Sequence, residues 1–161
     1  MDRASIEVRP LDVEEWATFR RIRLRALTDA PHAFASTLRS ARDRTERDWR
    51  ELLAARTQFL ATAEGVELGT VGVVTESDSL HLISLWVAPQ ARGIGVGDLL
   101  VRAVITRALD TGHRNIRLEV ADGNTAAERL YRRNGFRRTG VHGPVAPGDS
   151  RTEFEMLFTR S

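Results

Sequence analysis

Apolar and polar residues follow one another along the chain in patterns that predict both strands and helices. Alternation from Ile6 to Leu11 predicts a first strand. Asp12 followed by Glu15 is typical of a capping box, and we expect the helix that it begins to end near Asp29. A charged stretch from about Ser36 to Arg56 predicts a second helix with a solvated face.

The rest of the chain predicts a sheet with two more helices. Leu80 to Val87 is almost continuously apolar, which indicates a central strand covered on both faces. Helical spacing of apolar residues from Val96 to Val104 predicts a helix after a glycine-rich turn, and Asn124 and Gly135 bound a further short helix. The other predicted strands are Gln58–Ala63, Leu68–Thr75, Ile116–Val120, Phe136–His142 and Glu153–Phe158.

This order of elements, β-α-α-β-β-β-α-β-α-β-β, predicts an α/β (α+β) fold. Strands on both sides of the glycine-turn helix require a crossover connection, so we expect a mixed sheet with helices on its faces. The chain has 161 residues, of which 42% are hydrophobic and 29% are charged. Without an internal repeat or linker, this length predicts a single domain over residues 1–161.

Composition excludes several kinds of site. The chain has no cysteine, which excludes disulfides, thiolate nucleophiles and Cys-ligated metals. All 24 basic residues are arginine, and because arginine titrates above pH 12, a net charge of only +2 accounts for the pI near 10.2. The balanced charge argues against nucleic-acid binding. A charged N-terminus and the lack of a long apolar run predict a cytoplasmic protein that does not bind membranes.

The most informative stretch is the glycine-rich turn between the predicted central strand and the next helix. Glycines at 93, 95 and 97 let backbone N–H groups converge on an anion, and the helix N-terminus adds its positive dipole end, which suits a pyrophosphate. A dinucleotide fingerprint would need a third glycine where Val96 or Asp98 stands, and a P-loop would need a lysine. Both of these alternatives therefore fail, while a tight turn without a ligand stays open for any single glycine.

Two motifs in this half of the chain resemble signatures of the GCN5-related N-acetyltransferases, the GNAT family. The first is Arg92-Gly93-Ile94-Gly95-Val96-Gly97 behind Val87-Ala88-Pro89, and the second consists of Asn124, Ala127, Leu130, Tyr131, Gly135 and Phe136. The segment Leu118-Glu119-Val120 before Asn124 and Tyr131 resembles the ribosomal-protein N-terminal acetyltransferases. Residues 1–75 match the family only in their general layout.

The resemblance implies a mostly antiparallel central sheet whose central strands splay to hold acetyl-CoA, with no metal. It implies that pantetheine contacts backbone groups at Leu85 and Val87, and that pyrophosphate contacts the Arg92–Gly97 turn beside Asn124. We expect Asp98 to turn outward, away from the pyrophosphate. The implied reaction moves an acetyl group to a primary amine of a small molecule or protein. The resemblance also allows a homodimer.

In this resemblance Tyr131, the only tyrosine, protonates the leaving thiolate, although a buried tyrosine more often only packs. Glu119 is the first candidate for the base that deprotonates the amine, and an outward ion pair with an arginine is equally compatible with its position. His81 and a water relay stay open as alternative bases. The arginines between Arg129 and Arg138 are typical of a solvated face, or could reach the 3′-phosphate of CoA.

The histidines at 32, 81, 113 and 142 lack metal-ligand spacing. Two other functions stay open, a non-catalytic acyl-CoA-binding or sensing domain and an arginine-rich adaptor for acidic partners. The acceptor amine itself is not identified. Its pocket is expected to be formed by the first half of the chain and the loop from His142 to Thr152.

Overall fold

Seven strands form one mixed sheet in the computed structural model, which describes residues 5–31 and 37–160. The strand order is β1-β2-β3-β4-β5-β7-β6, and among these strands only the β4–β5 pair is parallel. The predicted mixed, mostly antiparallel sheet is therefore confirmed. The strands are β1 Glu7–Pro10, β2 Thr57–Ala63, β3 Val66–Glu76, β4 Ser79–Val87, β5 Asn115–Ala121, β6 Arg137–Pro144 and β7 Thr152–Thr159.

Helices pack on both faces of this sheet. They are α1 Trp16–Asp29, α2 Leu38–Arg42, α3 Glu46–Ala54, α4 Val96–Asp110 and α5 Thr125–Arg133. A Cβ at Gly69 would lie 3.2 Å from Leu100 of α4, whereas a Cβ at Gly72 would lie beside Gln58 and Arg56. Because odd and even positions of a strand face opposite ways, α4 covers one face of β3 and the region around α3 covers the other.

The prediction of one long second helix from Ser36 to Arg56 is wrong in its extent. Ser36 and His32 lie outside the described residues, and the part that is described divides into α2 and α3. The division occurs because Thr45 adopts an extended conformation and forms a capping box with Asp48, in which each side chain accepts a hydrogen bond from the other's backbone. The predicted capping box of Asp12 and Glu15 is confirmed, although it begins a 3-10 turn that leads into α1.

The predicted hairpin between β2 and β3 is confirmed. Glu64 and Gly65 have φ angles of 51° and 78°, and two left-handed residues in succession give the turn whose twist matches that of paired strands. The predicted caps of α5 are also present, because the Asn124 side chain accepts a hydrogen bond from Ala127 N at 3.1 Å and Gly135 has a φ of 98°. No helix among the described residues is long and apolar enough to cross a lipid bilayer.

Strand β4 differs from the prediction of burial on both faces. Leu80, Leu82 and Trp86 are buried in the core, whereas the residues between them are half-buried and face a cleft. The predicted splay is confirmed, since β4 pairs with β5 only from Ser79 to His81 and then diverges from it. The apolar character of this strand therefore reflects one core face and one cleft face.

Candidate active site

The divergence of β4 and β5 opens a cleft of about 1160 Å³, slightly larger than ordinary ligand pockets. Val145 and Arg151 of the loop before β7 also line it, as expected for the loop from His142 to Thr152. The structure brings all eleven predicted site residues to this cleft. They are Leu85, Val87, Arg92, Gly93, Ile94, Gly95, Val96, Gly97, Glu119, Asn124 and Tyr131.

The floor of the cleft has unpaired backbone because β4 contains a bulge. Trp86 lies opposite Thr70 and Ile83 lies opposite Gly72, so β4 has one more residue than β3 between these pairs. Ser84 adopts a φ of 56° at this point. Ladder groups near Leu85 are consequently left without strand partners on the side facing β5, where they can bind a ligand's amide groups.

The glycine turn provides a second backbone surface in the cleft. Gly93 and Gly95 have φ angles of 84° and 93°, a region that side chains rarely adopt, and a Cβ at Gly93 would meet open space. Gly95 precedes α4 without a side-chain cap, so the first N–H groups of α4 keep their capacity for an anion. Gly97 has a different role, because a Cβ there would lie 3.1 Å from Leu130, and its absence lets α4 and α5 approach closely.

Arg92 is held at the cleft edge by residues outside the turn. Its guanidinium donates to Asp29 of α1 at 2.5 Å and to the Val87 carbonyl at 3.1 Å. The Trp86 indole N–H also donates to Asp29 at 2.9 Å, and together these contacts lower the pKa of the Asp29 carboxyl. Arg92 therefore ties the glycine turn to α1, while half of its side chain stays exposed.

Asp98 does not turn outward as expected from the sequence. Its carboxylate accepts hydrogen bonds from Arg133 at 2.8 and 2.9 Å and from Asn134 at 2.9 Å, which lower its pKa to about 2. This ion pair links α4 to α5 and neutralises the acidic group beside the glycine turn. Within the arginine cluster that ends at Arg138, Arg133 lines the cleft, whereas Arg132 and Arg138 bind Glu128.

Tyr131 projects from α5 into the apolar side of the cleft. The residue is 6% exposed, and its ring lies 5.7 Å from that of Phe136. Burial raises the pKa of the phenol, so it keeps its proton at neutral pH. Across residues 5–31 and 37–160 its hydroxyl has no hydrogen-bond partner, which leaves that proton available for a ligand.

The two candidate bases are in direct contact. His81 Nε2 lies 2.7 Å from Glu119 Oε1, and both side chains line the cleft. Burial lowers the pKa of His81, but the hydrogen bond and negative charge of Glu119 outweigh it, so the net pKa is raised above its usual value near 6.5. The sequence presented these residues as alternatives, whereas the structure joins them in one hydrogen-bonded pair.

Three further charged residues surround this pair, and the sequence analysis did not identify them. Glu76 accepts from Arg117 at 2.6 Å and lies 2.9 Å from His81 Nδ1, while Arg117 donates to Glu119 at 2.6 Å. Glu153 lines the cleft nearby, and burial together with the charge of Glu119 raises its pKa. The spacing of Arg117 and Glu119, two apart on one strand, is the signal that could have indicated their pairing.

No group of three or more acidic or histidine side chains able to hold a metal ion occurs in the part of the chain that the structure describes.

Curated relatives share parts of this chain. It is 34% identical over 94 residues to a probable N-acetyltransferase family 8 member 5 from Mus musculus, covering 55% of this chain and 41% of the relative. It is 30% identical over 151 residues to a mycothiol acetyltransferase from Cellulomonas flavigena, covering 85% of this chain and 42% of that protein. The chain thus spans about two fifths of the length of these relatives.

Solved structures share the fold over nearly the whole chain. A putative acetyltransferase from Salmonella typhimurium with its cofactor acetyl-CoA superposes with a TM-score of 0.77 at 19% identity, covering 98% of this chain and 95% of that one. The ribosomal-protein-S18-alanine N-acetyltransferase from Escherichia coli gives a TM-score of 0.69 at 19% identity, covering 97% and 94%. At these identities the likeness establishes the fold.

The sequence also matches a family model over residues 16–136, a range that begins with α1 and ends just after α5. The match includes the glycine turn, the β4 bulge and the helix that carries Tyr131. This chain therefore belongs to the acetyltransferase (GNAT) family.

Proposed function

We propose that this protein is an acetyl-CoA-dependent N-acetyltransferase that acts on a primary amine, and that residues 1–161 form one catalytic domain. One observation carries the proposal. The same cleft is faced by backbone groups suited to pyrophosphate and pantetheine, by a phenol that has no hydrogen-bond partner among the described residues, and by a paired histidine and carboxylate. A binding module needs only the first of these features, whereas acyl transfer needs all of them.

The described residues fit acetyl-CoA. Gly93, Gly95 and the uncapped start of α4 would hold the pyrophosphate, and the bulged part of β4 near Leu85 and Val87 would hold the pantetheine amides. When bound, acetyl-CoA supplies an acetyl group activated as a thioester. The solved structure of the putative acetyltransferase from Salmonella typhimurium with acetyl-CoA, which has the same fold, supports this assignment.

The reaction needs two proton transfers, and side chains on opposite sides of the cleft carry out one each. The Glu119–His81 pair accepts a proton from the acceptor ammonium, which frees its nitrogen lone pair for attack. Backbone N–H groups freed by the bulge stabilise negative charge on the reacting oxygen. The Tyr131 hydroxyl then donates its proton to the departing thiolate, because its raised pKa keeps it protonated until that point.

The proposal is tested by CoA binding and by thiol release. We expect CoA to raise the melting temperature, since a ligand that binds only the native state adds about 2.7 kcal/mol at a hundredfold excess over Kd. With acetyl-CoA, a panel of primary amines should give amine-dependent release of free thiol. Stabilisation by CoA without release would indicate the acyl-CoA-binding or sensing function, and no stabilisation would reject the CoA site altogether.

A further inference from the structure

A cluster of three arginines lies beside α1 and α3, apart from the predicted catalytic groups. The Arg44 guanidinium lies 5.2 Å from the Trp49 ring, and that of Arg56 lies 5.6 Å from the Phe19 ring. These two rings touch edge to face with their centroids 5.4 Å apart. Burial, followed by the charges of Arg56 and Arg44, lowers the pKa of Arg23 to about 10, so the three cations share one region.

Two of these arginines, Arg44 and Arg56, lack an acidic salt-bridge partner among the described residues. Among residues 5–31 and 37–160, Arg44 and Arg56 form no salt bridge within 4 Å. Arg56 Nε and the indole N–H of Trp49, a residue with 0% exposure, are buried donors that have no acceptor in the described part of the chain. A buried donor such as Arg56 Nε and a positive charge without an acid are costly, and an anion bound to Arg56 would offset that cost.

The cluster does not line the cleft itself, but it lies next to a cleft residue across β3. The position of a Cβ at Gly72 lies 3.5 Å from Arg56 Nη1 and 3.1 Å from Cγ1 of Ile83, so Arg56 and Ile83 are neighbours. Ile83 lines the cleft. His81, two residues earlier on β4 and before the bulge, faces the same way, and two strand residues span roughly 6.6 Å.

Gln58 adds an oriented polar group at the same corner. Its Nε2 donates to Thr70 Oγ1 at 2.7 Å, and because Thr70 donates its own proton to the Phe59 carbonyl, the amide orientation is fixed. Gln58 Oε1 thus points to the Gly72 position at 2.8 Å and has no partner among the described residues, although the residue is 2% exposed. Gln58 therefore places a fixed amide group beside Gly72, next to Arg56 and one strand away from the cleft residue Ile83.

We propose that Arg56, supported by Arg44 and Arg23, binds a carboxylate of the acceptor while its amine lies at the Glu119–His81 pair. The acceptor is then an amino acid-like molecule whose amine and carboxylate are separated by several bonds. A planar carboxylate suits the guanidinium fork of arginine. This inference rests on the proposed function, because it assigns an acceptor to the same cleft.

Matched pairs of acceptors test the carboxylate site. We would measure kcat/KM for 4-aminobutanoate, 5-aminopentanoate and 6-aminohexanoate, each against its carboxamide. For the acceptor whose chain length fits the cleft, kcat/KM should be about 10- to 100-fold higher for the carboxylate than for the carboxamide. This factor corresponds to one hydrogen bond to a charged group. Arg56→Gln should remove this preference. Arg39→Gln, which removes the same charge from an exposed residue of α2, should retain it.

A binding measurement keeps the test independent of turnover and of the folding of one variant. Without acetyl-CoA, the fitting carboxylate should raise the melting temperature of the wild type more than its carboxamide does. Arg44→Gln, at a half-buried position, should reduce that difference. Equal kcat/KM and equal thermal shifts for both members would overturn the inference and leave the proposed function standing. Failure of every amine to release thiol would overturn the proposed function, and the thermal shifts would then decide the carboxylate site.

Discussion

The two sides of the cleft differ in the groups that they present to a ligand: backbone groups on one side and charged side chains on the other. On the glycine-turn side, the contacts are backbone groups whose positions depend on Gly93, Gly95 and the bulge at Ser84. On the acceptor side they are charged side chains, among them Glu119 and His81, held by ion pairs between strands. The backbone side should therefore be sensitive to added Cβ atoms and insensitive to pH, and the side-chain side should show the opposite behaviour.

The largest effect is expected at Tyr131. This residue lies on the backbone side of the cleft, yet its side chain has a proposed chemical role. Tyr131→Phe should lower kcat by about 10²- to 10⁴-fold, as expected for loss of a general acid, while the affinity for CoA stays unchanged. Single-turnover rates and CoA titrations measure the two effects separately. Full activity of the Phe variant would show that Tyr131 only packs against Phe136 and its other neighbours.

The sequence predicted the two sides of the cleft unequally well, because some of their features depend on local sequence and others on strand pairing. The glycine turn, the Asn124 cap and the alternation that places Glu119 on the cleft face are local signals, and the structure places these residues where they were expected. The bulge at Ser84 has no such signal, because a positive φ at a serine depends on strand pairing. Arg56, Gly72 and Ile83 come together only through the register of β2, β3 and β4, which one sequence does not reveal.

A valine in the turn tests the backbone side by adding bulk. Gly95→Val should abolish the stabilisation by CoA, worth about 2.7 kcal/mol at a hundredfold excess over Kd, because its side chain would occupy space needed by the pyrophosphate. Its φ of 93° also strains any side chain, so the variant itself is expected to lose about 1–3 kcal/mol of stability.

Gly112 offers the matched control for that strain. It lies beyond the other end of α4, has a φ of 76° and is not part of the cleft. Gly112→Val should lower the melting temperature in the same direction yet keep the full shift with CoA. If Gly95→Val also kept the shift, the turn would not be the pyrophosphate site.

The effect of Glu119→Gln should depend on pH, which tests the side-chain side of the comparison. We expect the variant to lower kcat/KM by about 10²-fold at acidic pH, the lower end for general base catalysis. At alkaline pH the loss should disappear, since an amine already deprotonated by the solvent needs no base. The control is Glu155→Gln, which removes the same charge from the strand position directly opposite Glu119 and outside the cleft.

The pH dependence of kcat/KM at acidic pH also distinguishes whether Glu119 or His81 accepts the proton. His81 binds a proton more tightly than a free histidine because Glu119 outweighs the effect of burial, with Glu76 and Arg117 also in contact and Glu153 nearby. Without the charge of Glu119, burial prevails and the pKa of His81 falls. If His81 is the base, the rise of kcat/KM with pH then moves to lower pH in Glu119→Gln, opposite to the loss expected when Glu119 is the base. Coincident profiles for the wild type and the variant would exclude Glu119 from both roles and leave a water relay.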